Sequence, residues 1–196
     1  SEVEGVFTVS CAGGNVTKCT LPIVTEDYNG DAFEIKVSGL LGGHSGVEID
    51  KGRANASILL GRVLHDIAEK TDMKLVSVSG GMKDNAIPAL ATALVSANEE
   101  TVNNSVKKFS EIFANEYRAK DGAISVTVTK TNISGKIMDK ESTEKVVTFL
   151  TCAPNGIIKM SGEIEGLVES SLNLGILQTE ENSVSASFCV RSSLTS

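Results

Sequence analysis

The fold is decided by residues 32–46, AFEIKVSGLLGGHSG, and by the segment that follows at 55–69, NASILLGRVLHDIAE. Residues 32–40 alternate apolar and polar side chains, with Phe33, Ile35 and Val37 on one face, which predicts a half-buried strand. The second segment carries apolar residues at helical spacing and predicts an amphipathic helix. The glycines at 42–46 predict a tight turn around His44, because glycine adopts backbone conformations that other residues avoid.

The chain from 32 to 131 continues this pattern. A helix that begins after the N-cap Asn98 is predicted to bury four residues at helical spacing: Val102, Val106, Phe109 and Phe113. Three further segments have the apolar content of strands: Lys74–Ser79, Leu90–Ser96 and Ala123–Thr131. The order β-α-β-β-α-β predicts a ferredoxin-like unit, an α+β fold with an antiparallel sheet and helices on one face.

Residues 1–31 and 132–196 are expected to form a second half of the same domain, which would span 1–196. We expect the two sheet-and-helix halves to lie side by side, or to share one continuous sheet. The predicted elements are strands Val6–Ala12 and Val16–Val24 around a Gly13–Asn15 hairpin turn, a turn at Tyr28–Asp31, a helix at Asp139–Thr151, and strands Val168–Gln178 and Ser183–Arg191. Pro22 is expected to place its strand at a sheet edge or bulge.

Composition excludes several classes of partner. The net charge of −7 and the 4% aromatic content argue against nucleic acid, whose phosphates require a basic surface. No apolar run approaches the roughly 20 residues of a membrane span. The cysteines form no Cys-x-x-Cys pair, which predicts reduced core thiols of a cytoplasmic protein rather than disulfides or metal ligands: Cys11, Cys19, Cys152 and Cys189.

Metal ligands are scarce in this sequence. The two histidines, His44 and His65, form no metal-binding pair, and a catalytic zinc ion needs three protein ligands. His65 lies beside the apolar stripe of its helix, where a solvent-facing flank residue is expected. The residues therefore predict no metal site in this chain.

Four polar residues are candidates for a functional site: His44, Asn85, Asn173 and Arg191. Each has a simple structural alternative, since Asn85 can cap a turn, Asn173 can face solvent on a strand, and Arg191 can form a surface ion pair. Together they supply hydrogen-bond donors without an obvious base or nucleophile. Such a set is suited to holding an anionic substrate or stabilising an oxyanion, and not to starting hydrolysis.

The motif GGHSGVEID at 42–50, followed by GRANA at 52–56, resembles the lid domain of the zinc-dependent aminoacyl-histidine dipeptidases. These belong to the co-catalytic metallopeptidases, with the carnosinases, succinyl-diaminopimelate desuccinylase and peptidase T. The resemblance continues in order through almost the whole chain, at residues 11–14, 80–81, 85–88, 171–175 and 190–192.

The resemblance implies a two-domain enzyme that hydrolyses Xaa-His dipeptides. A catalytic domain would hold two zinc ions, and an inserted lid would close over the substrate. By this resemblance His44 polarises the scissile carbonyl, sometimes in the site of a partner subunit, Asn85 assists it, and Arg191 grips the substrate carboxylate. Asn173 lies in another matching motif and is expected to help bind substrate.

This sequence departs from the whole enzyme because the His-x-Asp motif, the Glu-Glu pair and the final zinc-binding histidine are absent. We therefore expect a lid domain without its catalytic domain, inactive alone. The expected partners are that domain, the dipeptide and a second copy in a homodimer. The alternative is a stand-alone ferredoxin-like module for dimerisation or small-ligand binding, since this fold serves many functions.

Overall fold

The computed structural model describes residues 12–193, so the predicted strand at residues 6–11 and Cys11 lie outside the described part of the chain. Its elements are β1 (Gly13–Pro22), β2 (Thr25–Ser38), β3 (Gly43–His44), a 3₁₀ turn (Ile49–Lys51), α1 (Ala56–Ala68), β4 (Lys74–Gly80), β5 (Ala86–Ile87), β6 (Ala91–Ser96), α2 (Glu99–Glu116), β7 (Ser125–Met138), α3 (Lys140–Cys152), β8 (Gly156–Met160), β9 (Val168–Thr179) and β10 (Ser183–Ser192).

One antiparallel sheet runs through the described residues in the order β1-β10-β9-β4-β6-β2-β7, and β8 pairs with the start of β9. Strands β2, β4, β6 and β7 come from the predicted ferredoxin-like unit. Strand β9 extends this unit by pairing with β4 at only two positions, Ser79 with Gln178 and Gly80 with Leu177. The predicted α+β fold with an antiparallel sheet is confirmed, and the sheet is continuous.

The three helices form a layer on the sheet, with α1 contacting both α2 and α3. The helical spacing of apolar residues in 55–69 predicted an apolar stripe on α1, and the six residues of this stripe are buried: Ala56, Leu59, Leu60, Val63, Leu64 and Ile67. The side chain of Asn98 accepts a hydrogen bond of 3.0 Å from the backbone N–H of Thr101, so the predicted N-cap of α2 is confirmed. The N-cap of α1, Asn55, donates a 2.9 Å hydrogen bond to the carbonyl oxygen of Leu174 in β9, which fixes the N-terminus of the helix against the sheet.

Two predicted turns are wrong. Residues 13–15 belong to β1, where Gly13 pairs with Ser192, and residues 28–31 belong to β2, where Gly30 pairs with Ile133. In both places a distant segment supplies a complete ladder of hydrogen bonds, which outweighs the local preference of Asn and Gly for turns. Among the described strands, β1 lies at one edge of the sheet, as Pro22 predicted, and it ends at that proline rather than at Val24.

Three short strands, β3, β5 and β8, were not predicted. The cysteine prediction is partly wrong: Cys189 is buried and Cys19 half-buried, but Cys152 is exposed at the end of α3. All three are free thiols. Within residues 12–193, no helix is long and apolar enough to cross a membrane.

Candidate functional site

The pairing of β3 with β5 brings two of the predicted site residues together. His44 lies opposite Ala86 in this two-stranded ladder, and the backbone N–H of Ser45 donates a 2.9 Å hydrogen bond to the carbonyl oxygen of Asn85. His44 is exposed and Asn85 is half-buried. The ladder therefore holds both residues together, and its strand β5 contacts β9 of the main sheet.

The imidazole of His44 is held in one orientation. Its Nδ1 atom accepts hydrogen bonds from the backbone N–H groups of Gly46 at 3.1 Å and Val47 at 3.2 Å. An atom that accepts two such bonds carries no proton, so the proton of the neutral ring is on Nε2. The exposed edge of the ring therefore offers an N–H donor.

Glu48 and Arg53 hold the backbone of the same turn. The carboxylate of Glu48 accepts a 2.9 Å hydrogen bond from the N–H of His44 and forms ion pairs with Lys51 at 2.9 Å and Arg53 at 3.0 Å. The guanidinium of Arg53 also donates to the carbonyl oxygen of Gly42. These bonds, first that from His44, lower the pKa of Glu48 to about 2, so its carboxylate stays ionised at neutral pH.

The sequence analysis gave Glu48 and Arg53 no role, although both lie within the two quoted motifs. The spacing of Glu48 could have indicated its role, since the side chain of an acidic residue four positions after His44 can accept a hydrogen bond from the backbone of the turn. Only the structure shows that Glu48 contacts the His44 backbone and Arg53 at once.

Arg191, on β10, extends to the same site. A Cβ atom built on Gly46 would lie 2.8 Å from Cζ of Arg191 and 3.1 Å from Cε1 of His44, so the two side chains flank one small gap. Arg191 and Asn85 also line a shared depression of about 220 Å³. The structure thus brings His44, Asn85 and Arg191 together.

Arg191 has unused hydrogen-bonding capacity. Its buried Nε has no hydrogen-bond partner among residues 12–193, and no ion pair of the described chain involves it. The alternative of a surface ion pair is therefore not what the structure shows. An unpaired guanidinium at this depth is suited to an anionic group from outside the chain.

Asn173 is buried, with only 1% of its surface exposed, so the alternative of a solvent-facing strand residue is wrong. Its side-chain amide donates to the carbonyl oxygens of Asp84 at 3.2 Å and Ala86 at 2.8 Å, and its oxygen accepts a 3.3 Å hydrogen bond from Asn55. Asn55 is the N-cap of α1, so this network ties the helix to the residues on both sides of Asn85. A direct contact of Asn173 with substrate stays a prediction.

A second concave surface lies away from the four predicted site residues. This cleft of about 590 Å³ lies between the end of α1 and the start of α3, and is lined by His65 but by none of the four. His65 is exposed, in agreement with its predicted flank position. Within residues 12–193, no group of three or more His, Cys, Asp or Glu side chains is placed to hold a metal ion.

Comparison with known proteins finds one matching domain family and two similar proteins. Residues 35–121 match the family model of the peptidase dimerisation domain. The cytosol non-specific dipeptidase of Escherichia coli (strain K12) is 34% identical over 197 residues, which cover 98% of this chain and 41% of that protein. The crystal structure of aminoacylhistidine dipeptidase from Vibrio alginolyticus superimposes with a TM-score of 0.89 at 32% identity, over 93% of this chain and 38% of that one.

These similarities confirm the resemblance to dipeptidases that the motifs indicated. The described fold agrees with a dipeptidase structure over nearly its whole length. The chain spans about two fifths of the length of the two relatives, so the remainder of each relative has no counterpart here.

Proposed function

We propose that this chain, whose residues 35–121 carry a peptidase dimerisation domain, is the lid of a zinc-dependent dipeptidase that cleaves Xaa-His dipeptides in the cytoplasm. The observation that carries the proposal is the arrangement of His44 and Arg191 around Gly46, where the ring of His44 lies beside a guanidinium whose Nε has no partner among residues 12–193. A dipeptide presents a carbonyl oxygen and a carboxylate, the two groups that these side chains are suited to bind.

His44 has the features of a donor to a developing oxyanion. Its Nδ1 is occupied by two backbone N–H groups, which leaves Nε2–H to donate to the carbonyl oxygen of the scissile bond. Because the ring is already oriented, little reorganisation is needed as negative charge develops on that oxygen. Asn85 precedes β5, and its carbonyl oxygen accepts the N–H of Ser45, next to His44. Its side-chain amide is the group that we propose to assist His44.

Arg191 has the features of a carboxylate-binding group. A guanidinium binds a carboxylate through two parallel N–H···O bonds. Nε of Arg191 has no hydrogen-bond partner among residues 12–193, so we propose that it provides one of these bonds. The depression that it shares with Asn85 gives the substrate's C-terminal carboxylate a place to lie. Asn173 supports the site by holding the residues around Asn85.

The zinc ions of the proposed enzyme do not fit the side chains described here, because residues 12–193 supply no metal-binding cluster. We assign them to a catalytic domain corresponding to the part of the relatives that this chain does not span. We therefore assign no metal-dependent step to this chain, and propose that it binds and orients the dipeptide and is inactive alone. The dimerisation model that it matches supports a second copy as a further partner.

The test uses the enzyme expressed with the sequence that flanks this chain, called the full-length enzyme below. His44→Ala should lower kcat by roughly 10²–10³ with a smaller change in KM, because an oxyanion donor acts mainly in the transition state. Arg191→Ala should chiefly raise KM. His65→Ala is the matched control, since His65 is the other histidine of the chain and lies on the exposed side of α1.

Two results would refute the proposal. One is a His44→Ala enzyme whose kcat equals that of the His65→Ala control. The other is robust hydrolysis of an Xaa-His dipeptide by the isolated chain supplied with zinc, because the proposed metal site lies outside it.

A further inference from the structure

The two ends of the loop that carries His44 are hydrogen-bonded to the same buried carboxylate, that of Asp121. The backbone N–H of Leu41 donates to Oδ1 of Asp121 at 2.6 Å, and the N–H of Ala54 donates to Oδ2 at 2.7 Å. Asp121 is only 1% exposed and lies between α2 and β7, far along the chain from both donors. Each oxygen of this carboxylate thus holds one end of the loop.

A second layer of bonds connects these two ends to His44. Arg53, next to Ala54, donates to the carbonyl oxygen of Gly42, next to Leu41. Arg53 also forms an ion pair with Glu48, which accepts the N–H of His44. Hydrogen bonds and adjacent backbone residues therefore connect the buried carboxylate to the backbone of the histidine.

We infer that Asp121 is a positioning residue for His44: it closes the base of loop 41–54 and so fixes where the Nε2–H of His44 points. Nothing in the local sequence indicated this, since Asp121-Gly122 has the composition of an ordinary turn. The inference rests on the proposed function of His44, but the loop closure itself can be measured without any activity assay.

Asp121→Asn is the most specific perturbation, because it preserves shape. One oxygen is replaced by an NH₂ group, which cannot accept a hydrogen bond, so either Leu41 or Ala54 loses its acceptor. In the full-length enzyme we expect kcat to fall about 10- to 100-fold with KM changed less than about threefold, as misplacement of a catalytic group by about 1 Å can cost 10²-fold. Amide exchange across residues 41–54 should become about tenfold faster.

The control is Asp66→Asn. Asp66 is another largely buried carboxylate, which links α1 to α2 through Ser105 at 2.7 Å and Lys108 at 2.6 Å, away from the loop. This variant should leave both kcat and the exchange of residues 41–54 unchanged. Should Asp121→Asn fail to fold, Arg53→Lys provides the second variant, because it keeps the charge but cannot bridge Gly42 and Glu48; it should give the same two effects.

A double-mutant cycle separates positioning from general structural support. If Asp121 acts through His44, then Asp121→Asn costs no further activity in a His44→Ala enzyme. An equal loss in both backgrounds would overturn the inference, as would unchanged exchange of residues 41–54, or faster exchange with unchanged kcat. If His44→Ala itself has no effect, the proposed function fails, while faster exchange in Asp121→Asn would still support the loop closure.

Discussion

Replacement of Gly46 by alanine tests the geometry of the proposed site directly. The new Cβ would lie 2.8 Å from both Cζ and Nε of Arg191 and 3.1 Å from Cε1 of His44. Gly46 is not among the glycines with a positive φ, so alanine can adopt its backbone conformation without strain. The substitution therefore adds one methyl group between the two side chains and changes little else.

The expected cost to stability is small. Ordinary van der Waals contact begins at 3.4 Å, so the guanidinium must retreat by at least about 0.6 Å, and the imidazole by a few tenths. Added atoms in a packed site cost about 1–3 kcal/mol, with the low end expected here because the arginine side chain is flexible. Alanine also restricts the unfolded chain more than glycine does, which stabilises the folded state by about 0.4–1 kcal/mol. The unfolding free energy should therefore fall by about 1 kcal/mol or less.

The expected cost to catalysis is larger. If substrate binds between His44 and Arg191, displacement of both groups should lower kcat/KM of the full-length enzyme about 10- to 100-fold. At 1.36 kcal/mol per tenfold change, this is about 1.4–2.7 kcal/mol of transition-state stabilisation. The catalytic loss should therefore exceed the loss in unfolding free energy.

Steady-state kinetics with an Xaa-His dipeptide and urea unfolding of the same samples give both quantities. Gly135→Ala is the matched control, because its Cβ would meet nothing within 4 Å in the exposed part of β7. A Gly46→Ala enzyme with kcat/KM within twofold of this control would refute the reasoning, since the gap could then be filled without consequence.

Two further predictions concern stability. Burial raises the pKa of Asp66, but hydrogen bonds from Lys108 and Lys70 outweigh this effect and lower it from 3.8 to about 2. Since the pKa of Asp66 is lower in the folded than in the unfolded chain, this stabilisation is complete above pH 3.8 and is lost as the pH falls toward 2. In the Asp66→Asn variant, the unfolding free energy measured with urea should therefore depend less on pH over that range. An unchanged pH dependence would contradict the assignment. Asn173→Leu should lower the unfolding free energy by about 2–4 kcal/mol, because two carbonyl oxygens of residues 84–86 lose their donor; a loss below about 0.5 kcal/mol would show that water replaces the amide.

The elements with a long, regular pattern could be predicted from the sequence. The strand at 32–40 and the helix at 55–69 each repeat their apolar period several times, and both buried faces agree with the structure. The predictions of turns at 13–15 and 28–31 were wrong because the strands that pair with these residues lie more than 100 residues away in the sequence. Local composition carries no information about such a partner.

The site residues could be named from their motifs, but their arrangement could not. Strands β3 and β5 contain two residues each, too few to show any period, yet their pairing places His44 beside Asn85. The buried roles of Asp121 and Asn173 depend on backbone groups distant in sequence, and both residues belong to types that are usually exposed. Hydrogen-bond partners of this kind become visible only after the chain is folded.

The residues of the proposed site come from two parts of the chain, and few backbone hydrogen bonds join the strands of these two parts. His44 and Asn85 lie within the matched segment 35–121, whereas Arg191 lies on β10, beyond it. Since β4 and β9 pair at only two positions, the backbone ladder alone is too short to fix the distance between these groups. Side chains complete the junction: the Asn173 amide bonds to residues 84–86, and the hydroxyl of Thr179 accepts from Val78 N–H at 2.8 Å and donates to its carbonyl at 3.1 Å.

This arrangement has a consequence for specificity in the proposed enzyme. Segment 35–121 carries the donor for a carbonyl oxygen, and the later strands add the guanidinium that requires a carboxylate nearby. Because the two groups flank one gap, a substrate that engages both must have its carboxylate close to the scissile bond, as a dipeptide does and a longer peptide does not. In the proposed enzyme we therefore expect the junction between β4 and β9 to set substrate length, and the His44 loop to set the geometry of the bond to be cleaved.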